Sequence, residues 1–317
     1  MTIKKIENIN FYNNPKFCEA HYNQLSIDKK VMSFLKSYLY FFSFAIDKVS
    51  SYFRNVDQEM SKYIQPPSDS QVFKKRLIVC LHGLNSHPYQ FKQVLKDIEK
   101  NDLSDTMIFA PKIIQRGNAK LDDMIAPIFE EIQQWAKTNE SYELVLLGTS
   151  NGGRIAKAIE AKVTATKENK GNIKKIHLIS IVGACNGSYM ADIAKKVGLS
   201  FLVSKAIAEE MPTDSLKIKQ IHQDWLNGFK TSPEIKREYT FIASPHDLHV
   251  PNKSSTLMKI PKIEGIVKRY AIVDGHGHMS IVNAVSKAIS KLIFNEKLLP
   301  LNCSSKIKSP KKFDSKL

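Results

Sequence analysis

From about residue 71 onward, short apolar runs alternate with longer stretches whose apolar positions recur every three or four residues. The runs are RLIVCLH, TMIFA, ELVLL, KIHLISIV, EYTFIAS and KRYAIV. They are rich in β-branched residues and lack polar alternation, so they predict strands buried on both faces, as in a mainly parallel sheet. Leu121 to Trp135, Ile155 to Val163, and the set Ile281, Val285, Ile289 and Leu292 carry apolar residues at helical spacing. These helices would cover the sheet on both faces. The pattern predicts one α/β domain over residues 71–296, a class in which sites form at the carboxyl ends of the strands.

The flanks follow other patterns. Val31, Phe34, Leu35, Tyr38, Leu39, Phe42, Ile46 and Val49 mark an amphipathic helix within an N-terminal helical extension, residues 1–70. Packing on the main domain is the simpler role for its aromatic face; contact with a membrane or an acyl chain is the other. QPPSDS, from Gln65 to Ser70, reads as a linker. Residues 186–236 interrupt the strand–helix alternation with helical YMADIAKKVGLSFLVSKAIAEEM, expected as a cap over the strand ends or as extra packing. The tail, 297–317, holds six lysines against one aspartate and is expected to be flexible.

Composition changes this picture in one respect. Hydrophobic residues at 43 % and charged residues at 25 % suit a sizeable core, but a net charge of +16 favours an anionic partner such as a phospholipid surface. No nucleic-acid motif accompanies the charge, and charge alone gives sequence-blind binding. Cys18, Cys80, Cys185 and Cys303 are too dispersed for a disulfide framework or zinc spacing. MTIKKIENINFYNN lacks the apolar core of a secretory signal, and VMSFLKSYLYFFSFAIDKV is interrupted by Lys36 and Asp47. The expectation is a cytoplasmic chain with peripheral membrane association; delivery outside the producing cell stays open, and oligomeric state is unread.

Chemistry gathers in three places. Gly148-Thr149-Ser150-Asn151-Gly152 matches G-x-S-x-G and sits between the strand ELVLL and the helix RIAKAIEAKV. A serine on such a strained strand-to-helix turn is exposed above the sheet, with glycines where side chains would collide. Neither G-x-x-x-x-G-K-[ST] nor G-x-G-x-x-G is present, which sets aside a phosphate loop. A nucleophilic serine needs a base and an orienting acid, following in the order Ser, acid, His. Asp247 follows EYTFIAS; Asp274, His276 and His278 follow KRYAIV. For an oxyanion, backbone N–H groups are expected from Asn151 and from Leu84, with His82 and Gly83 supporting the latter.

These motifs together resemble the α/β-hydrolase superfamily across roughly residues 72–295. LHGLNSHPYQF is similar to its His-Gly oxyanion segment, GTSNGG to its elbow, SPHDLHVP to its acid loop and GHGHMSI to its histidine loop. The resemblance implies the α/β-hydrolase fold with a cap and a triad of Ser150, Asp247 and His278. Asp274 and His276 stand as alternates. It implies neither metal nor other cofactor. Thr149 replaces a frequent histidine, and VGACNGSYMADI lacks the proline of the lipase-like segment it partly resembles. The expected activity is hydrolysis of an acyl ester, with lipid as the substrate class favoured by charge and cap. Peptidase, thioesterase or acyltransferase chemistry, and a non-catalytic binding module, are the alternatives.

Overall fold

The computed structural model describes residues 2–6, 9–23, 27–32, 56–66, 74–138, 141–196 and 204–294. The expected amphipathic stripe from Phe34 to Val49, linker residues 67–70 and the basic tail lie outside these residues; Val31 itself is exposed.

Eight strands make one sheet: β1 (Thr2–Ile6), β2 (Ile9–Tyr12), β3 (Arg76–Leu81), β4 (Thr106–Phe109), β5 (Glu143–Thr149), β6 (Lys175–Ile181), β7 (Lys236–Ala243) and β8 (Val267–Ile272). Their order is β1-β2-β8-β7-β6-β5-β3-β4. All pairings from β3 to β8 are parallel, as the unbroken apolar runs predict, and every residue of β5 is buried.

Alternate residues of each strand serve opposite faces. Leu77, Val79, Leu144, Leu146, Leu178 and Phe241 pack on one side with helices α4 (Leu121–Ala136), α5 (Asn151–Val163) and α8 (Leu216–Thr231). Ile78, Cys80, Val145, Leu147, Ile179 and Ile242 pack on the other with α3 (Lys92–Ile98) and α9 (Ser286–Phe294).

The N-terminal extension contains helices α1 (Pro15–Asn23) and α2 (Val56–Ile64), and also a hairpin the pattern did not announce. The hairpin β1–β2 pairs antiparallel through Tyr12 with Tyr270 of β8. TIKKI and INFY are too short to signal a strand alone; the edge of β8 supplies the partner groups.

The insertion also divides in two. Helices α6 (Tyr189–Lys196) and α7 (Lys205–Glu210) lie over the carboxyl ends of the strands, whereas α8 packs Ile218, Ile221 and Trp225 into the core. Helix α8 is thus an ordinary crossover helix between β6 and β7. Among the described residues, Cys18, Cys80 and Cys185 are buried free thiols, and no helix is long and apolar enough to cross a membrane.

Candidate active site

Ser150 occupies the turn between β5 and α5 with φ 54° and ψ −124°. That left-handed φ is costly for a residue with a Cβ, so close packing must hold it. Its N–H donates to Ile181 O at 3.2 Å, and its carbonyl accepts from Gly153 N–H at 3.0 Å and Ala184 N–H at 2.9 Å. The packing also explains the glycines. A Cβ on Gly152 would stand 1.8 Å from Leu81 O, and one on Gly148 2.3 Å from Gly152 O.

The loop after β3 closes over this turn. A Cβ on Gly83 would meet the Ser150 Cβ at 2.9 Å, so only glycine lets the loop approach. Gln90 Oε1 accepts from Gly83 N–H at 3.2 Å and from Ser86 Oγ at 3.0 Å. His82 is buried, donating from Nδ1 to Gly83 O at 2.9 Å and accepting Ile113 N–H on Nε2 at 3.1 Å. Burial pulls its pKa down to about 4, which keeps the ring neutral and able to serve both partners. His82 thus clamps the loop after β3 to the segment after β4.

Asp247 follows β7 and His278 follows β8. Both are buried, and His278 Nδ1 lies 2.9 Å from Asp247 Oδ1 and 2.8 Å from Oδ2. Burial alone would raise the Asp247 carboxyl, but His278 and the N–H groups of Val250 and His249 outweigh it and hold it below the usual value. An ionised Asp247 places the proton on Nδ1 and leaves the His278 Nε2 lone pair available. Of the alternates, Asp274 is exposed and its charge bears on His246, and His276 contributes its carbonyl to Ser244 Oγ.

His249 stacks on His278 with ring centroids 4.6 Å apart. Asp247, His249 and His278 offer ligand atoms within 4.8 Å of one another. Both Asp247 oxygens already accept hydrogen bonds, so the group reads as a hydrogen-bonded pair with a stacked ring.

These groups converge. Ser150, His278, Leu84 and Asn151 line one cavity of about 600 Å³, walled by Ala184, Met190, Ala191, Ile207, Met211 and Val250. A serine on a strand-to-helix turn of a parallel sheet, followed in order by an aspartate after β7 and a histidine after β8, is a specific arrangement. The chain has the α/β-hydrolase fold. A hollow of about 420 Å³ beside α8 and a cleft of about 1220 Å³ at the other end of the sheet carry no such α/β-hydrolase constellation among the described residues.

No family profile matches the chain, and no curated protein matches it. Solved structures do overlap it. Est1E from Butyrivibrio proteoclasticus with ferulic acid bound is 14 % identical, covering 72 % of this chain and 92 % of its own at a TM-score of 0.46. The monoacylglycerol lipase of Paleococcus ferrophilus is 15 % identical, over 68 % and 93 %, at 0.41. A lipase-esterase related protein from Clostridium acetobutylicum is 13 % identical, over 69 % and 93 %, at 0.42.

Arg154 is a site neighbour that sequence reading missed. It lies one turn into α5 with no exposed surface, its Nε donating to Asn151 Oδ1 at 2.9 Å. Helical periodicity sets Arg154 and Lys157 on one stripe, ordinarily a solvated one. The only available signal was charge at the very start of the helix after the serine.

Proposed function

We propose that the protein is a serine hydrolase that cleaves a carboxylic ester, with an acyl chain of lipid character in the α6–α7 cavity. The observation that carries this reading is one cavity holding both Ser150, at left-handed φ, and His278, whose Nδ1 is engaged by the buried Asp247. Ser150 Oγ attacks the ester carbonyl while His278 Nε2 takes its proton. The backbone N–H groups of Leu84 and Asn151 receive the oxyanion. The tetrahedral adduct collapses, the imidazolium returns its proton to the leaving alcohol, and water hydrolyses the acyl-enzyme by the same route. Asp247 keeps the Nδ1–H tautomer and stabilises the imidazolium.

Lipid character is supported by the apolar walls and by the cavity's rim. Tyr189, Met190, Ile193 and Leu248 are exposed large apolar residues beside it. Together with a net charge of +16 they favour an anionic membrane as the place of work.

Fluorophosphonate labelling of wild type and Ser150→Ala, read by intact mass and peptide mapping, is the test. One adduct on Ser150, absent from a folded Ser150→Ala, is the expected result; an unlabelled wild type or an unchanged Ser150→Ala overturns the mechanism. Hydrolysis rates over esters of rising chain length, thioesters and peptides then decide the substrate class.

A further inference from the structure

Both Nη atoms of Arg154 are buried without a hydrogen-bond partner among the described residues. The nearest carboxylate, Glu210 at the end of α7, has its Oε2 3.8 Å from Nη1. A fully buried guanidinium so sparsely satisfied is expensive and calls for an explanation. Its one side-chain hydrogen bond among the described residues leads to the site, since the acceptor is Oδ1 of Asn151, whose backbone N–H is the oxyanion donor proposed above.

Asn151 passes the connection on. Its Nδ2 donates to Gly117 O at 2.9 Å. Gly117 closes a loop of three left-handed residues, with φ of 48° at Gln115, 55° at Arg116 and 80° at Gly117 itself. A Cβ at Gly117 would lie 3.2 Å from Gly83 O and 3.6 Å from Leu84 Cα, so this loop also abuts the segment carrying the other donor.

The opposite end of the connection is the cap. Glu210 Oε2 accepts the Leu121 N–H at 2.8 Å, tying α7 to the start of α4. Asn118 Oδ1 accepts from Ser204 N–H, just ahead of α7, at 3.0 Å. Ile207 and Ala208 of α7 meanwhile line the cavity that would take the acyl chain.

We propose that Arg154 is a positioning residue that couples the seating of α7 over the cavity to the aim of the oxyanion donors, through the line Glu210, Arg154, Asn151, Gly117. The inference rests on the serine-hydrolase reading. When an acyl chain fills the cavity and α7 seats fully, Glu210 closes on Arg154 and Asn151 is held in its productive rotamer. With α7 displaced, the guanidinium loses its counter-charge and the Asn151 anchor loosens. Oxyanion stabilisation would thereby follow occupancy of the acyl cavity.

The test is the phosphonylation rate constant and the reversible affinity of one alkyl fluorophosphonate, measured for wild type, Arg154→Met, Arg154→Lys and Glu210→Gln. Arg154→Met is expected to slow phosphonylation by about 10- to 100-fold with affinity within about twofold, because a misaimed donor acts on the transition state. Arg154→Lys should recover part of the rate. Glu210→Gln, which keeps the acceptor for Leu121, should slow phosphonylation by about three- to tenfold and flatten its rise with alkyl chain length. A purely structural role would lower the melting temperature and leave the rate constant of folded protein unchanged.

Wild-type phosphonylation rates in folded Arg154→Met overturn the coupling. Should Arg154→Met not fold, a wild-type rate and chain-length dependence in Glu210→Gln does the same. A wild type that never labels fails differently: it removes the hydrolase reading and this inference together.

Discussion

The two ends of the sheet handle buried charge and backbone strain in opposite ways. At the amino ends, five charged side chains form a ladder across adjacent strands. Arg76 of β3 pairs with Glu143 of β5 at 2.7 Å, Glu143 with Lys175 of β6 at 3.0 Å, Lys175 with Glu238 of β7 at 2.9 Å, and Glu238 with Arg269 of β8 at 2.8 Å. Each interior member touches opposite charges on both sides, which is what makes partly buried ions tolerable. At the carboxyl ends, Arg154 has neither Nη atom hydrogen-bonded among the described residues. Every non-glycine residue with left-handed φ among the described residues also follows a strand end there: Asn85, Gln115, Arg116, Ser150 and Val182. One end is arranged for stability; the other stores strain around a cavity, as functional sites do.

Asp247→Asn gives the largest expected effect on that contrast. It should lower ester hydrolysis by about 10⁴-fold by removing the carboxylate that sets the His278 tautomer. Asp274→Asn should stay within about twofold; a large loss there would rewire the site.

Gly152→Ala comes next. Its Cβ would stand 1.8 Å from the Leu81 carbonyl, so the turn and β3 cannot both keep their places. A loss above about 4 kcal/mol in urea unfolding is expected.

At the other end, Glu238→Ala strands Arg269 and leaves Lys175 with Glu143 alone, and should cost about 3 kcal/mol while leaving the fluorophosphonate rate intact. A slowed reaction would break the separation of the two ends.

A pH dependence is shared by both ends. Burial lowers His82 to about 4 and His177, beside Thr240 Oγ1 at 3.0 Å, to about 3, from an ordinary 6.5. In each case the unfolded chain takes up the proton first. Stability is therefore full above about pH 6.5 and falls as the medium is acidified toward those lower values. His177→Gln should flatten part of that slope in urea titrations between pH 7 and 4 without moving the phosphonylation rate.

Much of the site was legible because its signals are local. The glycines around Ser150 report collisions with the adjacent β3 backbone and with the turn itself, and a strand run before a loop carboxylate is readable without knowing the partner. Asp247 and His278 were favoured over Asp274 and His276 by the SPHDLHVP and GHGHMSI motifs alone. The contact between the two side chains across the loops after β7 and β8 is a tertiary fact that sequence spacing does not encode.

Arg154 was hidden for a related reason. Helical periodicity assigns a charged stripe to solvent, but α7 and α8 come from an insertion more than 40 residues later and cover that stripe. Lys157 shares its fate: it is fully buried and pulled down to about 8 by burial, with Asn186 Oδ1 at 2.6 Å and His222 Nδ1 at 3.1 Å.

By itself the sequence determined the alternation of strands and helices, the parallel sheet that apolar runs require, and the glycine-bound turn that lifts Ser150 above it. These follow from backbone sterics and the burial of contiguous apolar residues, which act over a few positions. Only the tertiary structure decided that β1 and β2 extend the sheet, that the insertion divides between cavity wall and core, and that a buried arginine stands behind Asn151. Those outcomes depend on free sheet edges, covering helices and charges brought together from distant parts of the chain, and no local pattern carries that information.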